Sequence, residues 1–331
     1  MLFDTIWAQQ GPVAMLQRAV ACGKLAHAYL FEGPSGVGKQ KTALALAASA
    51  VCKEQPPGCG RCDRCRRVLG GLHPDVRIFA PREEGDHNIQ VEFLREEVLP
   101  YTRYAPFEAD AAFVIVPQAD VAFPTNHPES ANALLKTLEE PRTNVHFLLL
   151  AERPDRLLPT IRSRCQRLRF GPLPADVMDR ILEQASVPFS ARKAAVALAD
   201  GRADRALDLA GEGKAERLLE LARRIHEVTR QDQPAALLDL SEELAKSDDL
   251  PLVLETLTRF YRDLTARLLG CLEQRFGFDL GEVAANGGKG VLSARKSAAR
   301  VGLIQRAGDA IERNANRQIT LDALLFELSE C

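Results

Sequence analysis

The sequence carries almost no net charge: 43 Lys and Arg against 45 Asp and Glu leave a formal −2. That balance excludes a surface coated uniformly for nucleic acid or anionic membrane and leaves room only for local basic patches. Long apolar runs are lacking as well, since none reaches the roughly 18 residues that a membrane span needs. The opening MLFDTIWAQQGPVAML has no basic region followed by an apolar core, so the expected compartment is the cytoplasm. Internal repeats and low-complexity tracts are also missing. What is present, 331 residues with 46% hydrophobic and 27% charged, suits a soluble globular chain of two or three domains.

Two further absences fall in the most recognisable segment. HAYLFEGPSGVGKQK, His27 to Lys41, has a strand-like run, then Gly33, Gly36, Gly38 and Lys39, then the alanine-rich helical pattern KTALALAASAV. Such a turn aims backbone N–H groups and a helix N-terminus at phosphate, and Lys39 would meet the β and γ oxygens. The residue after the lysine is normally Ser or Thr, whose hydroxyl ligates Mg²⁺. Here it is Gln40. Thr42 does not substitute, because at about 100° per residue it lies roughly 200° further round the helix. The second absence is at the end of AAFVIV, residues 111–116, where an ATPase of this class places an Asp for the metal and often a Glu for the attacking water. The chain instead reads Pro117-Gln118, with Asp120 three residues too late. The loop therefore has two readings, a degenerate nucleotide site or a tight strand-to-helix turn that binds nothing, and ATP at this site is doubtful.

Cysteine is unevenly spread. Cys52, Cys59, Cys62 and Cys65 fall in CKEQPPGCGRCDRC, whereas Cys22, Cys165, Cys271 and Cys331 are scattered. Thiolates at C-x2-C spacing converge on one tetrahedral ion, and Gly58 and Gly60 ease the turn between them. Four soft ligands with no spare position predict a structural Zn²⁺ site. Two disulfides, disfavoured in a reducing cytoplasm, and free surface thiols are the alternatives.

Along the chain, AYLFEG, DVRIFA, AAFVIVP and HFLLLAE read as buried strands alternating with helices, the pattern of an α/β domain with a mainly parallel sheet. After Gly171 to Pro174 the pattern turns helical. In ERLLELARRIHEV, Leu218, Leu221, Ala222, Ile225 and Val228 share one face, and Pro251 starts a further helix. GEVAANGGKG, residues 281–290, reads as a loop.

The segment KLAHAYLFEGPSGVGK, the four clustered cysteines, SANALLKTLEEP (residues 130–141) and LLPTIRSRCQRLRF (residues 157–170) together resemble the clamp-loader AAA+ proteins of bacterial replication. The likeness is to the delta-prime branch of the DNA polymerase III loader rather than to its gamma/tau motor branch. It implies an AAA+ P-loop domain over 1–170 with a zinc module inserted at about 52–65, a small helical lid over 171–213 and an all-helical collar for oligomerisation over 214–331. It also implies a hetero-oligomer with gamma/tau-like and delta-like subunits, acting on a sliding clamp and primed DNA.

In that family the Ser-Arg-Cys segment presents an arginine to ATP on the neighbouring subunit, which here is Arg164 between Ser163 and Cys165. A guanidinium is always charged and its fork matches phosphate oxygens. Arg162 and Arg167 lie in the same basic stretch and can equally form salt bridges. Arg205, in Gly201-x3-Arg205-Ala206-Leu207, matches the sensor-2 position, which touches nucleotide where nucleotide binds and otherwise braces a helix. In NALLKTLEEP, Ala133, Leu134, Leu135 and Leu138 form an apolar face, Asn132, Lys136, Glu139 and Glu140 are polar, and Pro141 ends the helix. The tract VAFPTNHPESA is longer than usual for the family, and Ala151 and Glu152 replace the motors' sensor-1 threonines. These features imply a noncatalytic loader subunit. An active motor and a zinc-bearing nucleic-acid adaptor are the alternatives; the cysteine module has Arg61, Arg64, Arg66 and Arg67 but no aromatic between its cysteines on which a base could stack.

Overall fold

The four apolar runs become strands β1 (Ala28–Glu32), β2 (Val76–Ile78), β3 (Ala112–Val116) and β4 (Val145–Ala151), joined by a fifth, β5 (Gln166–Arg169). All pair in parallel in the order β2-β3-β4-β1-β5. The computed structural model describes residues 1–80, 93–123, 125, 128–140, 144–231, 233–270 and 293–330. Residues 281–290, read as a loop, lie outside them, as do Pro124, Pro141, Cys271 and Cys331. The chain divides into two compact units, Met1–Val177 and Met178–Cys331.

In the first unit the sheet is covered on both faces, which is why its central strands are continuous apolar runs rather than alternating ones. Strand periodicity still sorts the side chains. Tyr29 and Phe31 of β1 enter one core with Leu16 of α1 (Gln10–Ala21), Leu46 and Val51 of α2 (Lys39–Val51), and Val68 of α3 (Asp63–Leu69). Ala28 and Leu30 enter the opposite core with Leu134 and Leu138 of α4 (Pro128–Glu139) and Ile161 of α5 (Pro159–Arg164). The helices that follow β1 and β4 thus leave to opposite faces of the sheet. That reversal opens a crevice at the carboxyl ends of these two neighbouring strands, the usual ligand position in such sheets.

The second unit is helical throughout its described residues. The helix α6 (Ala175–Gln184) crosses the boundary, and α7 (Phe189–Leu198), α8 (Ala203–Ala210), α9 (Lys214–Val228), α10 (Pro234–Ala245), α11 (Leu250–Leu268), α12 (Ala294–Glu312) and α13 (Arg317–Glu330) follow. Between α8 and α9 the backbone kinks at Glu212 and Gly213, both with positive φ. The apolar stripe of α9 is buried at Leu218, Ala222 and Ile225. No helix among the described residues is long and apolar enough to cross a membrane.

The core of this unit holds a polar group that the apolar pattern does not reveal. The Arg300 Nη1 donates to the Tyr261 hydroxyl at 2.9 Å and its Nη2 to the Leu328 carbonyl at 2.7 Å. The Tyr261 hydroxyl also lies 3.2 Å from His226 Nδ1. Burial, then the charges of Arg300 and Arg230, push the His226 imidazole down to about 4.

An unfolded histidine titrates near 6.5, so between about pH 6.5 and 4 the unfolded chain binds a proton that the folded chain refuses. Stability conferred by neutral His226 is therefore complete above pH 6.5 and lost as pH falls through this window, by up to about 3 kcal/mol. Denaturant unfolding of the wild type and of His226→Gln should show their stability difference shrinking as pH drops from 7 to 4.5. Parallel pH profiles would exclude His226 as the titrating group.

Candidate functional site

The loop between β1 and α2 is held by packing on every side. The Gly33 N–H donates to the Ala151 carbonyl of β4 at 3.1 Å, and the Phe170 N–H donates to the Glu32 carbonyl at 2.7 Å. Gly33 has φ +150, and a Cβ there would stand 2.2 Å from the Phe170 carbonyl oxygen, so no side chain fits. At the tip, the buried Gln9 donates to the carbonyls of Val37 (3.3 Å) and Gly171 (2.8 Å) and accepts from the Gly171 N–H at 3.2 Å. Gly38 is left-handed, and α2 begins after it with no side-chain cap on its first-turn amides. The Lys39 ammonium folds onto the loop itself, donating to the Gly33 carbonyl at 2.6 Å and the Pro34 carbonyl at 2.5 Å.

Two polar side chains near the loop and the end of β3, Thr42 and Asp120, are engaged by backbone groups. Gln40 is exposed. Thr42 is fully buried and its hydroxyl donates to the Gly38 carbonyl at 2.8 Å, which removes it as a substitute ligand. Beyond β3, Gln118 adopts left-handed backbone and leads into a helical turn, Ala119–Ala122. The Asp120 carboxylate is 5% exposed and accepts from the backbone N–H groups of Glu152 (3.3 Å) and Arg153 (2.8 Å), just past β4. It braces the turn that follows β4. The other carboxylate nearby, Glu32, accepts from Arg167, with Arg167 Nη2 at 2.9 Å and the Arg169 Nε at 3.9 Å.

The arginines of RSRCQRLR thus separate by partner. Arg167 is committed to Glu32, whereas Arg164, the last residue of α5, lies at the surface with its side chain 34% exposed. Its Nη1 donates to the Thr160 carbonyl at 3.0 Å and its Nη2 to Glu139 Oε1 at 2.6 Å. Two motifs recognised separately, SRC and TLEEP, therefore meet. Between them Cys165 is half-buried, and burial followed by the Glu32 charge pushes its thiol up to about 12.

Arg205, in the second unit, pairs with Glu255 of α11 at 2.5 Å. Glu255 also receives Arg259 Nη2 at 3.0 Å, and Arg259 Nη1 donates to the Leu198 carbonyl at 2.7 Å. Burial opposes ionisation of Glu255, but the two arginines outweigh it and hold its carboxyl below the ordinary value.

The four clustered cysteines converge. Their sulfurs all lie within 4.8 Å of one another, with Cys52–Cys59 at 3.8 Å, Cys52–Cys62 at 3.9 Å and Cys59–Cys65 at 4.0 Å. Tetrahedral ligands about 2.3 Å from one zinc ion stand about 3.8 Å apart, and a disulfide needs about 2.05 Å, so the donors fit a single metal ion. Backbone N–H groups of Cys62 and Cys65 point at the sulfurs of Cys59 (3.3 Å) and Cys62 (3.5 Å); backbone hydrogen bonds pull the Cys59 thiol down to about 6, whereas burial pushes those of Cys62 and Cys65 up. Two neighbouring arginines have partners, mostly outside the module: Arg64 donates to the Val51 and Glu108 carbonyls, and Arg67 pairs with Asp63 at 2.8 Å and Glu108 at 2.7 Å. Arg61 and Arg66 are exposed.

Glu32 and Gln9 escape the sequence reading. Glu32 leaves a trace there, as a charge ending the apolar run AYLF; Gln9 leaves none.

Known proteins were compared with this chain. The family model described as "DNA polymerase III, delta subunit" matches residues 8–174. A DNA polymerase III subunit delta' of Bacillus subtilis is 38% identical over 182 residues, 54% of this chain and 52% of that protein, so the match spans about half of the relative's length. The subunit of the same name from Pseudomonas aeruginosa is 30% identical over 98% of this chain and 95% of its own length. A solved gamma subunit-related protein of Thermotoga maritima aligns with 96% of this chain and 98% of its own at 20% identity and a TM-score of 0.47.

The crowding at Gly33 has a measurable consequence. Gly33→Ala forces the new methyl into the Phe170 carbonyl, 2.2 Å away, and should cost about 2–3 kcal/mol. The midpoint of urea unfolding reads the loss; an unchanged midpoint would mean that the loop is not pinned beneath Phe170.

Proposed function

The chain belongs to the DNA polymerase III delta' family of clamp-loader AAA+ proteins, and from that membership we propose that it is a loader subunit without ATPase activity of its own, lending Arg164 to ATP held by a neighbour. The observation that carries this reading is the fate of Asp120. Its carboxylate accepts from the amides of Glu152 and Arg153, and the residue after Lys39 is an exposed Gln40 in place of the usual hydroxyl. Hydrolysis needs that metal to bridge the β and γ oxygens. Arg164 needs no metal. It supplies fixed positive charge to a phosphate that another chain positions, and its place on the surface suits that task.

The reading assigns the remaining parts as follows. Residues 1–170 form the P-loop domain, 171–213 a helical lid and 214–331 a collar that assembles with gamma/tau-like and delta-like subunits in a hetero-oligomer. Sliding clamp and primed DNA are substrates of that assembly. Gly33, Gly36, Gly38 and Lys39 serve as scaffold, and Arg205 braces α8 against α11 through Glu255 instead of reading nucleotide. Cys52, Cys59, Cys62 and Cys65 hold a structural zinc ion that closes the end of α2. The adaptor alternative is weakened because Arg64 and Arg67 are already engaged, with Val51, Asp63 and Glu108.

Two experiments test these assignments. In an assembly reconstituted with gamma/tau-like and delta-like subunits, Arg164→Ala should lower ATP turnover at the neighbouring site, stimulated by clamp and primed DNA, by roughly a thousandfold. Lys39→Ala should leave it within about twofold. Turnover abolished by Lys39→Ala and spared by Arg164→Ala would make this chain the motor. For the metal, native mass spectrometry should find one zinc ion per chain, lost in the double variant Cys59→Ser/Cys62→Ser together with a lower unfolding temperature. A wild-type chain that is metal-free and equally stable would exclude the structural zinc.

A further inference from the structure

Arg164 and Glu139 end two different helices, α5 and α4, and the apolar residues beneath them, Ile161, Leu134 and Leu138, share one core. Packing therefore fixes the distance between the helix ends, and the 2.6 Å contact between guanidinium and carboxylate follows from it. The carboxylate is oddly placed for its own helix: a negative charge at a helix C-terminus opposes the helix dipole, whereas Arg164 at the end of α5 complements it. Glu139 gains from the cation beside it. No nitrogen of Arg164 is among the buried unpartnered ones, so the N–H groups not used by Thr160, Ser163 and Glu139 reach solvent.

Taking the trans-arginine reading as its basis, we propose that Glu139 is the positioning residue for Arg164, holding its guanidinium against the end of α5 so that it meets a neighbour's phosphate with few rotamers left to lose. A free arginine is a flexible side chain whose ordering must otherwise be completed in the transition state. The pair is half-exposed, with side chains 34% and 49% accessible, and pairs of this kind are weak. Glu139 therefore orients Arg164 without trapping it, and a more highly charged phosphate displaces or shares the contact. Cys165 next door adds no rival anion, because its raised thiol stays neutral at physiological pH.

The test uses the reconstituted assembly with Glu139→Ala, Glu139→Gln, Arg164→Ala and the double variant Glu139→Ala/Arg164→Ala, each checked for incorporation by native mass. Glu139→Ala should lower kcat of clamp-stimulated ATP hydrolysis about fivefold with KM for ATP unchanged. Glu139→Gln, which keeps an oxygen for Arg164 Nη2, should recover more than half of the loss. In the Arg164→Ala background, Glu139→Ala should do nothing further. Wild-type kcat in Glu139→Ala beside a crippled Arg164→Ala would overturn the positioning role and leave the arginine reading standing. Wild-type turnover in Arg164→Ala would overturn both. An equal fall from Glu139→Ala with and without Arg164 would show that it acts through assembly or folding, which also overturns the positioning role.

Discussion

Phe170 presses its carbonyl against Gly33, and the shape of the loop depends on that contact. β1 is the strand between β4 and β5, and its last residues are fastened to both: Gly33 to Ala151 on one side, Glu32 to Phe170 on the other. Every further turn of the loop then finds a partner inside the protein. Gln9 takes the Val37 carbonyl, Lys39 takes those of Gly33 and Pro34, and Thr42 takes that of Gly38. A cradle held this way needs no nucleotide to keep its form. This explains physically how Gly33 stands beside an exposed Gln40 and a sequestered Asp120: it serves the packing of the end of β1 against Phe170, which is required whether or not phosphate binds.

Burial sorts the arginines. Glu32 is 5% exposed, and a carboxylate so placed must be paired, since leaving it alone out of water costs several kcal/mol, roughly the penalty for a single desolvated ion. Arg167 is committed by that requirement. Glu139 makes no such demand, and exposed pairs contribute at most about 1 kcal/mol, so Arg164 is held loosely. Arg205 and Arg259, whose own side chains are only 13% and 9% exposed, share Glu255, so that one carboxylate serves both largely buried charges. Arg164 and Glu139 are both partly exposed, so breaking their contact leaves no buried charge behind on either side, as the proposed role of Arg164 requires.

Much of this was legible in the sequence, and the exceptions have identifiable causes. β1, β3 and β4 are nearly continuous apolar runs because both faces of a parallel sheet are covered, so they stand out. β5 does not, because in QRLR only Leu168 is buried; the strand is defined by its pairing with β1 and not by its own pattern. The cysteine cluster was readable from spacing because its ligands are local in the chain. The role of Asp120 was half readable: its distance from the end of β3 could be counted, but the amides that capture it come from beyond β4. His226 and Gln9 are polar residues buried by partners far along the chain, Tyr261 and Gly171, and no periodicity records such pairings. The boundary between the two compact units falls at Val177 and Met178, a few residues inside the lid expected over 171–213, and residues 178–213 share the second unit with 214–331.

The two sides of the sheet carry separate duties. α2 leaves the loop and runs straight into Cys52, the Cys65 sulfur lies 3.8 Å from the Ala48 carbonyl of that helix, and the Leu2 N–H donates to the Gly58 carbonyl at 2.9 Å. Loop, helix, cysteine cluster and N-terminal turn therefore form one body in the core that includes Phe31 and Leu46. Arg164 and Glu139 belong to helices buried in the opposite core, with Leu30, Leu134 and Ile161. The loop has a route to Arg164 along the chain, because Phe170, which crowds Gly33, ends the segment that runs from Arg164 through β5. The contact that sets the guanidinium itself, Glu139, lies on the side of the sheet that carries it.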